Sequence, residues 1–321
     1  MGSQLSASSL PRLRSPFSSS LHEQVDTAET ATLTWADRFG LAHDPAVRRR
    51  LAATRSARLA GRVSPRATMP GLLLNTDWTT WLFLFDDTFC DESDFGRHSV
   101  DTIGLASDVL RVIERGDVPA RTVNPFLPAL ADLRARLLRL ATPEQFDRFA
   151  AQTVYYLLAL TWEAAHREQR TLADLPEYIV MRRHSGAVFP CLALIDIING
   201  FELPVGMWSS PELHAVNDAA ADIICWGNDI LSYPREVRRS TQVLSLPEVL
   251  RRARQEPIDQ ALREAAALHD RRLNDYQQLE TPLLALGDPR VERYLGDIRA
   301  WISGHLAWSA ETRRYDFGIA A

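Results

Sequence analysis

Two polar clusters, 142 residues apart, each close a strongly apolar stretch of helical character. Asp86-Asp87-Thr88-Phe89-Cys90-Asp91 follows Trp81-Leu82-Phe83-Leu84-Phe85. Asn228-Asp229-Ile230-Leu231-Ser232-Tyr233-Pro234-Arg235-Glu236 follows Ile223-Ile224-Cys225-Trp226. Oxygen-bearing groups at the tips of buried helices are costly unless something binds them. A chain carrying two such tips must fold so that both are satisfied. Oxygen-only donor sets suit a hard cation such as Mg²⁺, which in turn suits phosphate.

The rest of the chain offers helices to build that fold and nothing else. Apolar residues recur with helical period almost throughout from about residue 24, and no stretch shows sustained two-residue alternation rich in Val, Ile and Thr. The pattern predicts helices near 24–40, 44–60, 68–86, 98–115, 125–140, 143–168, 175–185, 188–200, 210–236, 245–278 (broken near Pro257) and 288–312. Turn chemistry separates several of them, as in Gly116-Asp117-Val118-Pro119, Leu203-Pro204-Val205-Gly206 and Gly287-Asp288-Pro289. The expectation is a single all-α domain of 10 to 12 helices over residues 21–316. A Ser/Pro/Arg-rich arm of residues 1–20 precedes it and a tail of residues 317–321 follows. Segments 68–86, 143–168 and 210–236 are apolar on most faces and should be central.

Composition removes several functional classes. A net charge of −5 argues against a nucleic-acid binder. All 36 basic residues are arginine. Three widely spaced cysteines, with no CxxC pair, argue against zinc and against a disulfide framework, and fit a reducing cytoplasm. No apolar run approaches the roughly 20 residues of a membrane span.

Helical geometry gives the clusters their chemistry. Phe83, Asp87 and Asp91 fall four apart and share a face, whereas Asp86 is turned by about 100° from Asp87. The two adjacent carboxylates can therefore serve different targets, for example a metal and an arginine. Asn228, Ser232 and Glu236 stand at i, i+4 and i+8, drifting only about 40° per step, so amide, hydroxyl and carboxylate form one ladder of oxygen donors. Asn and Ser are poor helix-interior residues, which favours a functional reason for them.

In these motifs the chain resembles the bacterial class I terpene synthases (terpene cyclases). That family carries a DDxxD or DDxxx(D/E) motif and an NDxxSxxxE triad, matched here by Asp86-Asp87-xxx-Asp91 and Asn228-Asp229-xx-Ser232-xxx-Glu236. The match extends to a diphosphate-sensing arginine 46 residues before the triad's Asn (Arg182) and a helix-break glycine four residues later (Gly186). It also includes a C-terminal Arg-Tyr pair (Arg314-Tyr315) and an acid on the central helix (Glu163). Each motif alone is weak to moderate, but five in order at these separations are specific.

The resemblance implies a helical bundle around a deep apolar pocket, a linear prenyl diphosphate substrate, three Mg²⁺ ions, and cyclisation to a terpene hydrocarbon or alcohol with release of diphosphate. It favours farnesyl diphosphate, with geranylgeranyl diphosphate as the alternative, and allows a homodimer. By resemblance the metal ligands are Asp86, Asp91, Asn228, Ser232 and Glu236, with Glu163 acting through water, while Asp87 pairs with Arg314. Arg182, Asn228, Arg235, Arg314 and Tyr315 would hold diphosphate, Gly186 would couple ionisation to diphosphate sensing, and Phe83, Phe189, Trp226 and Trp308 would line the pocket.

Three departures accompany the match. The aspartate motif has one extra residue before Asp91, Ser185 stands where the family often has an acid, and Pro234 lies inside the triad, predicting a helix end or kink there. Rival readings are weaker. A prenyl-elongating enzyme would need a second aspartate-rich motif. A phosphohydrolase built on His269-Asp270 lacks its further ligands. A non-catalytic helical prenyl-diphosphate binder would not need the full set of acid, amide and arginine groups.

Overall fold

The computed structural model describes residues 10–89, 96, 98–120, 122–239 and 243–315. Every regular element among them is helical: α1 (Val25–Arg38), α2 (Pro45–Thr54), α3 (Ser56–Val63), α4 (Met69–Phe89), α5 (Ser99–Arg115), α6 (Phe126–Leu140), α7 (Pro143–Gln169), α8 (Leu175–Ser185), α9 (Val188–Ala193), α10 (Ile195–Asn199), α11 (Pro211–Arg239), α12 (Leu246–Arg254), α13 (Ile258–Leu284) and α14 (Pro289–Glu311). The all-α expectation therefore holds.

Start signals in the sequence act where the pattern places them. Thr142 caps α7 in a reciprocal capping box with Gln145, and Asp174 caps α8 by accepting from the Glu177 amide. Asp288 does the same for α14 through the Arg290 amide.

Two expected helices are divided. The stretch 44–60 breaks because Arg55 adopts a left-handed conformation, φ 53°, between α2 and α3. The stretch 188–200 divides at Leu194 into α9 and α10, whose residues are buried throughout and so carry no amphipathic period to mark the joint. These divisions, with the anticipated break at Pro257, give fourteen segments among the described residues rather than 10 to 12.

The helix end expected at Pro234 is not found. α11 runs through it to Arg239. An internal proline costs about 3 kcal/mol, but the turn is held on several sides. Ser232 reaches Glu236 at 2.5 Å, Tyr233 donates to Glu248 at 3.3 Å and Arg235 to Asp87 at 3.3 Å. Glu236 therefore keeps its place on the ladder.

Among the three central segments, α4 is buried along most of its length and carries an aromatic spine. Trp78 stacks on Trp81 at 5.5 Å and Trp81 on Phe85 at 4.4 Å. Tight ring packing at the inner end of the helix fixes the direction of its acidic tip. α11 packs against α8, α13 and α14, and α14 also packs on α3, so the carboxyl-terminal helix closes the bundle beside α4 and α11. Residues 10–20 lie on this side. Phe17 meets Tyr276 edge-on at 5.9 Å, and Ser303 Oγ donates to the Ser18 carbonyl at 3.2 Å. Among the described residues no helix is long and apolar enough to cross a membrane.

Candidate active site

One large cavity receives the tips of α4 and α11. Asp86, Glu163, Arg182, Gly186, Asn228, Ser232, Arg235, Glu236, Arg314 and Tyr315 all line it. With the solvent-open space at its mouth included, it spans about 1540 Å³. Its wall is polar where these residues meet and apolar elsewhere, through groups such as Leu59, Leu82, Phe83, Ile224 and Trp308. Asp91 lies outside the described residues.

The paired aspartates divide as their 100° offset requires. Asp86 faces the cavity, while Asp87 is buried behind it. Arg314 Nη1 donates to Asp87 Oδ2 at 2.9 Å and Nη2 to Oδ1 at 2.8 Å. Burial alone would raise the Asp87 carboxyl. The charge and hydrogen bonds of Arg314, then the charges of Arg235 and Arg50, overcome it and hold the group below the usual carboxylate range. Burial likewise works against the Arg314 cation, and Asp87 reverses the effect.

The triad forms the predicted ladder. Ser232 Oγ lies 2.8 Å from the Asn228 carbonyl and 2.5 Å from Glu236 Oε1. Asn228 Nδ2 donates to the Tyr315 hydroxyl at 3.1 Å, which leaves the amide oxygen for Arg182 Nη2 at 3.2 Å. That oxygen has a second lone pair.

Among the described residues no three His, Cys, Asp or Glu side chains converge as a metal site. The donors present are instead an amide, a hydroxyl and a carboxylate on one helix face, with Asp86 on the same cavity. An oxygen-only set of this kind fits a hard divalent cation and not zinc. Glu163 also lines the cavity, paired with Arg167 one turn later at 2.8 Å.

Sequence reasoning missed the group that orients Arg182. Asp229 is 1% exposed, accepts from Arg182 Nε at 2.9 Å and from the Leu246 amide at 3.0 Å, and takes a short hydrogen bond from the Tyr178 hydroxyl. Burial, then the Asp229 charge, pushes the Tyr178 phenol far up, so it stays a donor. The signal was present: Tyr178 stands four residues before Arg182, on the same face of α8.

Gly186 ends α8, and Ala187 turns left-handed, φ 54°, before α9 begins. A Cβ on Gly186 would lie 2.5 Å from Cys225 Sγ, so only glycine lets the break sit this close to α11.

Of the four expected pocket aromatics, Phe83 and Trp308 line the cavity. They stack at 5.5 Å, the Arg314 guanidinium lies 4.3 Å from the Phe83 centroid, and Trp308 Nε1 is fixed on the Thr54 carbonyl at 2.9 Å. Phe189 and Trp226 are corrected to core positions. Val188 and Cys191 take the cavity face of α9, one and two residues from Phe189, and its ring packs on His184 at 5.0 Å. Trp226 is two residues, about 200°, from Asn228 on α11 and so points away from the cavity.

A helical bundle whose cavity has an acid-and-arginine mouth and an apolar wall is the architecture of an enzyme that handles a charged group on a hydrocarbon. Comparison with known proteins gives the family. Residues 77–275 match the family model described as terpene synthase family 2, C-terminal metal binding. The 4-epi-cubebol synthase ((2E,6E)-farnesyl diphosphate cyclizing) of Streptosporangium roseum is 32% identical over 306 residues, spanning 95% of this chain and 92% of that protein. The (+)-T-muurolol synthase ((2E,6E)-farnesyl diphosphate cyclizing) of Roseiflexus castenholzii is 33% identical over 307 residues, 95% and 93% of the two chains. The crystal structure of germacradien-4-ol synthase from Streptomyces citricolor superposes with a TM-score of 0.81 at 26% identity, over 94% of this chain and 99% of that one. The chain belongs to the terpene synthase family and is a terpene synthase, a lyase.

Proposed function

We propose that this enzyme ionises farnesyl diphosphate with the help of Mg²⁺ and cyclises the resulting carbocation to a C15 terpene, releasing diphosphate. The observation that carries the reading is the Asn228–Ser232–Glu236 ladder lining the same cavity as Asp86, beside Arg182, Arg235 and Arg314. Farnesyl diphosphate is the substrate printed for the two similar synthases.

Asp86 and the Asn228–Ser232–Glu236 ladder would hold the Mg²⁺ ions, three by resemblance to the family, with Glu163 acting through water. Bound Mg²⁺ supplies Lewis-acid stabilisation of the leaving diphosphate's charge. Arg182, Arg235 and Arg314 add charge-assisted hydrogen bonds to the same oxygens, and Tyr315 adds a neutral one. Asp229 keeps the Arg182 fork aimed at that end. The apolar wall excludes water, which would otherwise trap the cation. The ring faces of Phe83 and Trp308 favour positive charge beside them.

The test is incubation of purified protein with Mg²⁺ and geranyl, farnesyl or geranylgeranyl diphosphate in separate vials, followed by gas chromatography–mass spectrometry of the extract. A cyclic C15 product, lost with EDTA or in Asp86→Ala, is the expected result. Turnover of another chain length alone would overturn the substrate, and no product from well-folded protein would overturn the reading.

A further inference from the structure

The carboxyl-terminal helix brings a histidine into the cavity that none of the roles above uses. A Cβ on Gly304 would lie 2.7 Å from the Arg62 carbonyl, so α14 lies with its backbone against the end of α3 and cannot turn about its axis. In that register Trp301, His305 and Trp308, at i, i+4 and i+7, all line the cavity. His305 is the one imidazole among the described lining residues. It is 5% exposed. The influences on its ring are burial and then the charges of His269 and Arg182, with no hydrogen bond from any described group.

Buried polar groups are nearly always partnered. The neighbouring His269 is held on one side, its Nδ1 resting 3.0 Å from Asp270 Oδ1, while its Nε2 is buried without a partner. His305 instead leaves its nitrogens unclaimed beside an aromatic wall, its ring centroid 6.2 Å from that of Trp308.

Burial, then His269 and Arg182, lowers the ring to about 4, so the free enzyme holds it neutral with one lone pair available. The thiols of Cys191 and Cys225 on the cavity are pushed up to about 12 by burial and stay protonated, and the carboxylates there have other engagements. Glu163, Asp229 and Glu236 are hydrogen-bonded to Arg167, Arg182 and Ser232, and Asp86 stands with the proposed ion ligands.

We propose that His305 is the base that ends the cyclisation, taking a proton from the carbon next to the final cationic centre and so making the product an alkene. The inference rests on the terpene cyclisation proposed above. The C–H bond breaks, its electron pair becomes the C=C π bond, and the proton goes to the unprotonated ring nitrogen. The imidazolium returns its proton to water once product leaves. Positive charge passes from substrate to ring without any new charge being made, so the burial that keeps the free ring neutral does not oppose the step. A weak base suffices because the proton beside a carbocation is far more acidic than an imidazolium.

The test compares product ratios from the unmodified enzyme, His305→Asn and His305→Phe, each with Mg²⁺ and whichever prenyl diphosphate the unmodified enzyme turns over. Diphosphate release precedes the proton transfer, so it reports whether a variant folds and ionises substrate, and His305→Gln replaces any variant that does not. Removing a positioned base costs on the order of 100-fold in its step. The ratio of the main alkene to products quenched earlier or by water should fall by about that factor in both variants. Asn keeps the size and polarity of His without its basicity. A normal ratio in the Asn variant would therefore reduce the residue to shape and overturn the assignment, as would unchanged ratios in both variants or an alcohol as the sole product of the unmodified enzyme. Absence of diphosphate release from the unmodified enzyme would instead overturn the terpene reading on which the assignment rests.

Discussion

Arg314 grips both oxygens of Asp87, at 2.9 and 2.8 Å, across 227 residues of sequence, and thereby ties the carboxyl-terminal segment to the tip of α4. The same guanidinium lies over Phe83, so one side chain joins the acid motif, the aromatic wall and the end of the chain. Asp87 therefore works as an anchor beneath Asp86, and its loss should be felt first as loss of order at the cavity mouth.

Asp87→Ala leaves Arg314 and Arg235 buried without their shared anion, a change worth about 3–5 kcal/mol. Arg314→Lys should also weaken the mouth, because an ammonium cannot span both oxygens as the planar fork does. The Asp87 carboxyl is lowered in the folded chain, so its contribution is present above the ordinary value of 3.8 and is lost as pH falls below it. Urea melts of Asp87→Ala at pH 7 within 1 kcal/mol of the unmodified chain, taking ordinary scatter as about that size, would sink this account.

Asp229 should be more sensitive than its place in the motif suggests. Among the described residues it joins Arg182, Tyr178 and the Leu246 amide, linking α8 to the start of α12. Asp229→Ala strands a buried arginine, at about 3–5 kcal/mol, whereas Tyr178→Phe removes one hydrogen bond, at about 1 kcal/mol. Chemical denaturation of the two variants should keep that order. Equal losses would mean that the carboxylate does not organise the cluster.

Gly186→Ala should disturb the α8–α9 break by driving its Cβ against Cys225 Sγ, since overpacking of this kind costs typically 1–3 kcal/mol. Cys225→Ala removes the sulfur that is struck. The double variant should therefore recover most of the stability and diphosphate release lost by the single one. Additive losses in a double-mutant cycle would place the cause elsewhere.

The sequence made legible whatever one helix can hold by itself. The Asn228–Ser232–Glu236 ladder and the divergence of Asp86 from Asp87 follow from 100° per residue and needed no partner to be read. What it hid was decided between helices. Pro234 stays inside α11 because Arg235 and Tyr233 are held by α4 and α12, contacts with no trace in the local pattern. Arg55 breaks 44–60 in a stretch that reads as one amphipathic helix. Phe189 and Trp226 read as pocket residues from their neighbourhood, yet each sits a large helical rotation from the residues that face the cavity. Asp229 was visible as a letter of the motif, but its role depends on Tyr178 lying across from it, which only the packing of α8 on α11 supplies.

Stability should also depend on pH through a carboxyl group away from the cavity mouth. Asp297 on α14 is fully buried, with Oδ1 at 2.5 Å from Arg66 Nη2 and Oδ2 without a partner. Burial outweighs the Arg66 and Arg293 charges and raises its carboxyl from 3.8 to about 6. In the folded chain the group therefore keeps its proton to about pH 6, while in the unfolded chain it loses it near 3.8. Between those values the folded state binds more protons, so stability falls as pH rises through the window. A shift of this size is worth on the order of 3 kcal/mol. Asp297→Asn carries no titrating proton, so the unmodified chain should lose more stability than this variant between pH 4 and pH 7, by about that amount. The check is denaturant unfolding of both proteins at several pH values. Parallel curves would show that Arg66 compensates the buried charge in full. A variant less stable than the unmodified chain at pH 7 would show that the ion pair outweighs the burial, reversing the sign argued here.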